Sequence, residues 1–216
     1  MKRIISIIMV TLLTVMSALA NIAEGVSGDC NWVIDNDGNL TISSESDDIA
    51  DLGTWVGDSA PWSNYRDSIT TVVFSSPVNA KTCAYMFKGC SKLNAVYLDN
   101  FYTNEDIDMS FMFAGCTSLE IIEFDMAMSV EDAMLTQSRD NFLTGNVTNM
   151  ASMFEGCKSL HSFYLQNLDI RNVTNFSDMF AGCSSLENMN LTENKNANSS
   201  SLTAINDIEN DIDDIE

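Results

Sequence analysis

Six cysteines, one histidine and 31 acidic residues are the groups of this chain that could do chemistry. A thiolate is both a nucleophile and a metal ligand. The spacing of Cys90, Cys116, Cys157 and Cys183 argues against both uses. They recur at intervals of 26, 41 and 26 residues, with no CxxC pair and, beyond His161, no imidazole to complete a zinc site. His161 is also the one general base of the usual kind. It follows Leu160 at the start of a predicted strand, without a counterpart in the neighbouring segments, and reads as a surface residue. The acids would allow a paired-carboxylate glycosidase by number, but they fall on loops and in the C-terminal tail at unrelated offsets. The expectation is a non-enzymatic chain with no catalytic residue, no metal ligand and no cofactor.

The elements that position these cysteines form an internal repeat. Met86-Phe87-Lys88-Gly89-Cys90-Ser91-Lys92-Leu93 returns at Met112 to Leu119, at Met153 to Leu160 and at Met179 to Leu186. The wider interval is one 26-residue period plus a 15-residue insertion. Each block is followed by Leu-x-x-apolar-x-apolar: Leu93, Val96, Leu98; Leu119, Ile122, Phe124; Leu160, Phe163, Leu165; Leu186, Met189, Leu191. Ile69, Val72 and Phe74 form a degenerate earlier copy. The closing alternation is strand periodicity. Before each Met-Phe, apolar residues such as Val147, Met150, Met153 and Phe154 are spaced for a short helix or 3-10 turn, and the Gly two residues after Phe suits a left-handed cap. One such unit cannot bury its apolar side alone, whereas stacked units can. The fold class expected is an α/β repeat solenoid of short parallel strands and short helices or 3-10 turns. In it Cys90, Cys116, Cys157 and Cys183 form a repeat-core column of reduced thiols, because side chains in register point in parallel and make poor bridge geometry.

The outward strand position of each repeat is the place for a ligand. Val73, Tyr97, Glu123, Tyr164 and Asn190 form that column and are the candidate binding face. Tyr97 and Tyr164 suit an anchoring role, as exposed aromatics do at interfaces. Ordinary strand preference for Tyr accounts for them equally well.

Residues 1–20 read as a secretory signal peptide: Lys2-Arg3, an apolar run, then Ala18-Leu19-Ala20 before Asn21. Its removal takes away two cations and no acid, so the net charge moves from -21 to -23. Such a charge excludes nucleic acid as a partner, since the phosphate backbone would be repelled. No other apolar stretch approaches spanning length, so no membrane insertion is expected after signal cleavage. Export permits disulfides without requiring them.

The blocks Asn146-Val147-Thr148-Asn149, Met153-Phe154-Glu155-Gly156-Cys157 and Leu160-x-x-Phe163-x-Leu165 resemble the repeat of BspA-type leucine-rich-repeat surface proteins. Gly28 to Ile42, followed by Ala60-Pro61-Trp62, is similar to the segment that often precedes such repeats. The resemblance implies a leucine-rich-repeat-like fold, a secreted or cell-surface location, and binding or adhesion to an extracellular protein or glycan. It implies no catalysis. An alternative role is structural, as an assembly component of the cell envelope acting through the solenoid end or the tail.

Four regions follow: the leader (1–20), an N-terminal cap (21–67), the repeats (68–191, with an insertion at about 126–141) and an acidic tail (192–216). The cap is expected to hold a β-hairpin, Trp32-Val33-Ile34 returning through Asp35-Asn36-Asp37-Gly38 to Leu40-Thr41-Ile42, and it contains all three tryptophans. A calcium loop at Asp35 to Gly38 fails on ligand positions. Cys83 fits a core position, and a Cys30 to Cys83 bridge between cap and first repeat stays open. In the insertion, Ser129 and Asp132 resemble a capping box, and the segment reads either as part of the binding face or as a tolerant loop. In the tail, Ile205, Ile208, Ile212 and Ile215 would line one face of an acidic helix. A helix of about twelve residues is marginal alone, so a disordered tail is expected.

Overall fold

The computed structural model describes residues 21–46, 48–103, 107–123, 146–164 and 168–190. The leader, the insertion and the tail lie outside the described residues. Within them the chain forms short strands, mostly in parallel sheets, and a single 3-10 helix, Ser63–Ser68. Strands β1 (Ala23–Ser27), β2 (Cys30–Ile34) and β3 (Asn39–Ser43) pair antiparallel. The turn between β2 and β3 is set by Asp35, whose Oδ1 accepts the N–H groups of Asp37 and Asn39, both at 2.9 Å, as an Asx turn. These bonds, led by the one from the Asn39 side chain, hold the Asp35 carboxyl below its usual range.

From β3 onward the sheet is parallel. β5 (Thr71–Phe74) pairs with β3, β7 (Ala95–Tyr97) with β5, and β10 (Ile121–Glu123) with β7, giving six strands in the order β1-β2-β3-β5-β7-β10. Leu40, Val72 and Val96 stand side by side on its inner face, all fully buried, with Ile122 half-buried at the end of that row. Each chain segment then turns into a second, three-stranded parallel sheet, β4 (Ala50–Asp51), β6 (Val78–Asn79) and β8 (Phe101–Tyr102). β9 (Ile107–Asp108) pairs with β11 (Val147–Asn149), and β12 (Ser162–Tyr164) with β13 (Asn188–Asn190), again parallel. The core lies between these short strands and the Met-Phe blocks. Repetition of one sequence pattern in one direction is what makes the pairing parallel and in register.

The Met-Phe blocks depart from the helix suggested by their spacing. In the first, Met86, Lys88, Cys90 and Leu93 each donate to the carbonyl three residues back, closing separate turns. The intervening N–H groups leave the block altogether. Tyr85, Phe87 and Gly89 donate to the Ser110, Met112 and Ala114 carbonyls of the next repeat at 3.0, 2.8 and 2.7 Å. Phe111, Phe113 and Gly115 do the same to Ala151, Met153 and Glu155, and Ser152, Phe154 and Gly156 to Ser177, Met179 and Ala181. A helix would need those donors within the block, so the ladder between repeats replaces it. Two left-handed residues per block turn the donors outward: the glycines at φ 72–77°, and Tyr85, Phe111, Ser152 and Asp178 at φ 53–61°. Of the two forms suggested by the spacing, the turn is the one formed.

Inside the ladder the phenylalanine rings stack. Phe87, Phe113, Phe154 and Phe180 follow at centroid distances of 5.6, 5.5 and 5.5 Å, and Trp62 takes the first place, 5.8 Å from Phe87. Trp62 also donates its indole N–H to the Met86 carbonyl at 2.8 Å, and Trp55 donates to Ala84 at 2.9 Å. Those two carbonyls are the first-repeat counterparts of Met112 and Ser110, which accept backbone N–H groups from the repeat before.

Candidate binding face

Parallel register decides which residues can meet a ligand together. On the outer face of the six-stranded sheet, Thr41 lies opposite Val73, Val73 opposite Tyr97, and Tyr97 opposite Glu123. Thr41, Val73 and Tyr97 are half-buried and Glu123 is exposed. The antiparallel strands prolong the row through Val33 to Glu24. Cross-strand neighbours of this kind sit about 5 Å apart, close enough for one ligand to touch several. A second outward row, two residues earlier on each strand, runs Asn39, Thr71, Ala95 and Ile121. Ala95 is buried, and Ile121, at 39% exposure, is one of the more exposed large apolar residues. Sequence reading had selected Val73, Tyr97 and Glu123. Glu24, Val33, Thr41, Thr71 and Ile121 were missed, although the same two-residue alternation would have found Thr71 and Ile121.

Tyr164 and Asn190 stand opposite each other, on β12 and β13. Their side chains lie outside the described residues. Among the described strands, that pair belongs to a two-stranded sheet separate from the one carrying Tyr97. The segment that follows Glu123 leads directly into the insertion.

The cysteines face the other way. All six are buried and free. Cys116 Sγ donates to the Phe87 carbonyl at 3.1 Å, Cys157 to Phe113 at 3.2 Å and Cys183 to Phe154 at 3.0 Å. Each of these carbonyls also accepts the backbone N–H of the cysteine in its own repeat, so both lone pairs are used. Cys90 shares the position, and Cys30 Sγ donates to the Asp51 carbonyl at 3.5 Å. Burial pushes the thiols up, to about 11 for Cys30 and Cys183 and about 12 for Cys90, and it also raises Cys83, Cys116 and Cys157 well above the ordinary thiol value. A buried thiol held protonated neither attacks nor ligates. Among the described residues no three His, Cys, Asp or Glu stand together as a metal site, and no helix is long and apolar enough to cross a membrane. His161 is exposed, its Nδ1 2.7 Å from the Ser159 carbonyl.

The Asn residues of the repeat act as turn formers. Asn149 and Asn175 accept the N–H groups of Ala151 and Ser177 through Oδ1, both at 3.1 Å, and Asp108 serves Ser110 in the same way at 2.8 Å.

The family described as "Mycoplasma protein of unknown function, DUF285" matches residues 76–132 and 122–210. These spans contain every Met-Phe-x-Gly-Cys block, from Met86 to Cys183, that carried the resemblance to BspA-type repeats. Among solved structures the chain is similar to a leucine-rich repeat protein from Eubacterium ventriosum ATCC 27560, at 15% identity and a TM-score of 0.29, over 84% of this chain and 80% of that one. No curated protein matches the chain.

Proposed function

The chain belongs to the DUF285 family, and on that premise we propose that it is a secreted or surface-exposed, non-enzymatic binding module for an extracellular protein or glycan. The observation that carries this reading is the in-register row Thr41, Val73, Tyr97 and Glu123 on one sheet face. The face offers an aromatic ring, two β-branched side chains and a carboxylate, held on strands whose inner side chains are locked in the core. In this reading the strands and turn blocks form a short solenoid, the antiparallel β1–β3 unit with its tryptophans is its N-terminal cap, and the insertion after Phe124 lengthens the binding face. The reduced cysteine column is a packing feature. The test is adhesion of the mature protein to matrix proteins and partner cells. A folded Tyr97→Ala/Tyr164→Ala variant should lose most of it, and full retention would reject the face.

A second reading, assembly with copies of itself or with another envelope protein, is motivated by the ladder's far end. Asp178, Phe180 and Gly182 occupy the donor positions of the final block, and among the described residues their N–H groups have no acceptor. Sizing the protein with and without residues 192–216 separates the readings, since assembly through that end or the tail requires a change of mass.

A further inference from the structure

Four outward positions at the β10 end of the six-stranded sheet make a square. Ala95 and Tyr97 stand two apart on β7, and Ile121 and Glu123 stand opposite them on β10. Val96 and Ile122, between them, pack the other way against the core. Opposite side chains in such a register lie about 5 Å apart and diagonal ones about 7–8 Å. Ala95 is 5% exposed and forms the floor, Ile121 is 39% exposed, Tyr97 is half-buried and Glu123 is exposed. The square therefore offers an aliphatic wall, a phenol ring and a carboxylate to one incoming group.

Charge narrows what that group is. The six strands of this sheet contain Glu24 and Glu123, one at each end of the outer row, and neither Lys nor Arg. The whole chain carries a net charge of -21. An acidic sugar or an acidic segment is repelled by such a field, a neutral sugar gains nothing from it, and a cation is drawn in. Of the two basic side chains, lysine brings a point charge on a flexible stem. The guanidinium of arginine is flat. It donates two N–H groups to one carboxylate, lays a face on an aromatic ring and keeps its stem on aliphatic surface. Glu123, Tyr97 and Ile121 meet those three demands within the reach of one side chain.

We propose that the sheet face takes an arginine of a protein partner, with its guanidinium paired to Glu123 and laid on Tyr97, and its stem on Ile121. Apolar side chains of the same segment then continue along the row over Val73 and Thr41. This rests on the binding role proposed above for the face, and it narrows the partner from a protein or glycan to a protein segment with an exposed arginine. Glu123 becomes the specificity-determining residue and Tyr97 the anchor.

Two end-blocked pentapeptides test it: Thr-Val-Arg-Val-Thr, and the same peptide with citrulline, the uncharged isostere, in place of the arginine. Each is titrated into the chain from residue 21 onward and followed by NMR at the backbone amides of residues 95–97 and 121–123. The arginine peptide should bind about tenfold more tightly than the citrulline peptide, the combined worth of an ion pair and a cation–π contact at an exposed site. Glu123→Gln should abolish that ratio, and Glu155→Gln, which neutralises an exposed acid on the turn side, should preserve it. Equal affinities, a ratio that survives Glu123→Gln, or no binding of either peptide would overturn the arginine site. The face itself is judged separately, by adhesion of folded Tyr97→Ala. Lost adhesion beside equal peptide affinities overturns the arginine and leaves the face, whereas retained adhesion with no peptide response at these amides overturns both.

Discussion

The indole N–H of Trp62 donates to the Met86 carbonyl at 2.8 Å, in the place where every later repeat receives a backbone N–H from its predecessor. A side chain thus ends a ladder that backbone would otherwise continue, and the same residue begins the column of stacked rings. Parallel repeats need such an ending, because an uncovered first repeat would expose both ring faces and carbonyls.

Trp62→Phe keeps a ring on Phe87 and removes the donor, leaving the carbonyl of a buried residue unpaired. The expected cost is about 1–3 kcal/mol, measured by denaturant unfolding. Trp62→Ala adds a cavity and should cost about 3–5 kcal/mol. Equal stability of Trp62→Phe and the parent would mean that the bond is replaced by solvent.

The left-handed glycines separate backbone cost from steric cost. At Gly115 (φ 77°) an added Cβ would come no closer than 3.6 Å to Gly89, so Gly115→Ala should cost only the conformational penalty, about 1–2 kcal/mol. At Gly38 (φ 86°) the Cβ would lie 2.2 Å from the Ser68 carbonyl, where backbone must move. Gly38→Ala is therefore expected to destabilise more than Gly115→Ala in the same unfolding assay.

The thiols set the alkaline limit. Burial raises their folded pKa values above the ordinary thiol value, so the folded chain holds protons that the unfolded chain releases. Their contribution is whole below about pH 9 and is lost as pH rises toward about 11 for Cys30 and Cys183 and about 12 for Cys90. Each thiol can add a slope of about 1.4 kcal/mol per pH unit within that window. Stability measured across it should fall, and less steeply in Cys116→Ala. In folded protein at pH 8 none of the six thiols should be alkylated, and all six should react in denaturant without reductant.

Asp35 works in the opposite direction. Its carboxyl is held below the usual range by the Asn39, Asp37 and Gly38 contacts, so its contribution is present above the ordinary carboxylate pKa and lost as pH falls through the lower folded value. Asp35→Ala should lower Tm at pH 7, and the difference from the parent should shrink toward zero at strongly acidic pH.

Much of this was legible in the residues. Val72, Phe74, Val96, Leu98 and Phe163 are buried at the inward positions that two-residue alternation assigned them. The turn ladder was not legible, because Val147, Met150, Met153 and Phe154 fit a helical face and a chain of turns equally, and the choice lies in bonds to another repeat. The closing roles of Trp55 and Trp62 were hidden for the same reason, since their acceptors lie 29 and 24 residues onward. Thr41 joined the candidate face only through parallel pairing of β3 with β5, a partner that its hairpin sequence does not reveal.

Affinity of the chain from residue 21 onward for matrix components and partner-cell surfaces, compared between Tyr97→Ala on the sheet face and Glu155→Ala on the exposed turn side, tests the proposed binding role most directly. Tyr97→Ala should weaken binding at least tenfold, about 1.4 kcal/mol or more, with its hydrogen exchange unchanged, and Glu155→Ala should leave binding intact. Undiminished binding by folded Tyr97→Ala, or a loss confined to Glu155→Ala, would contradict the assignment of the sheet face.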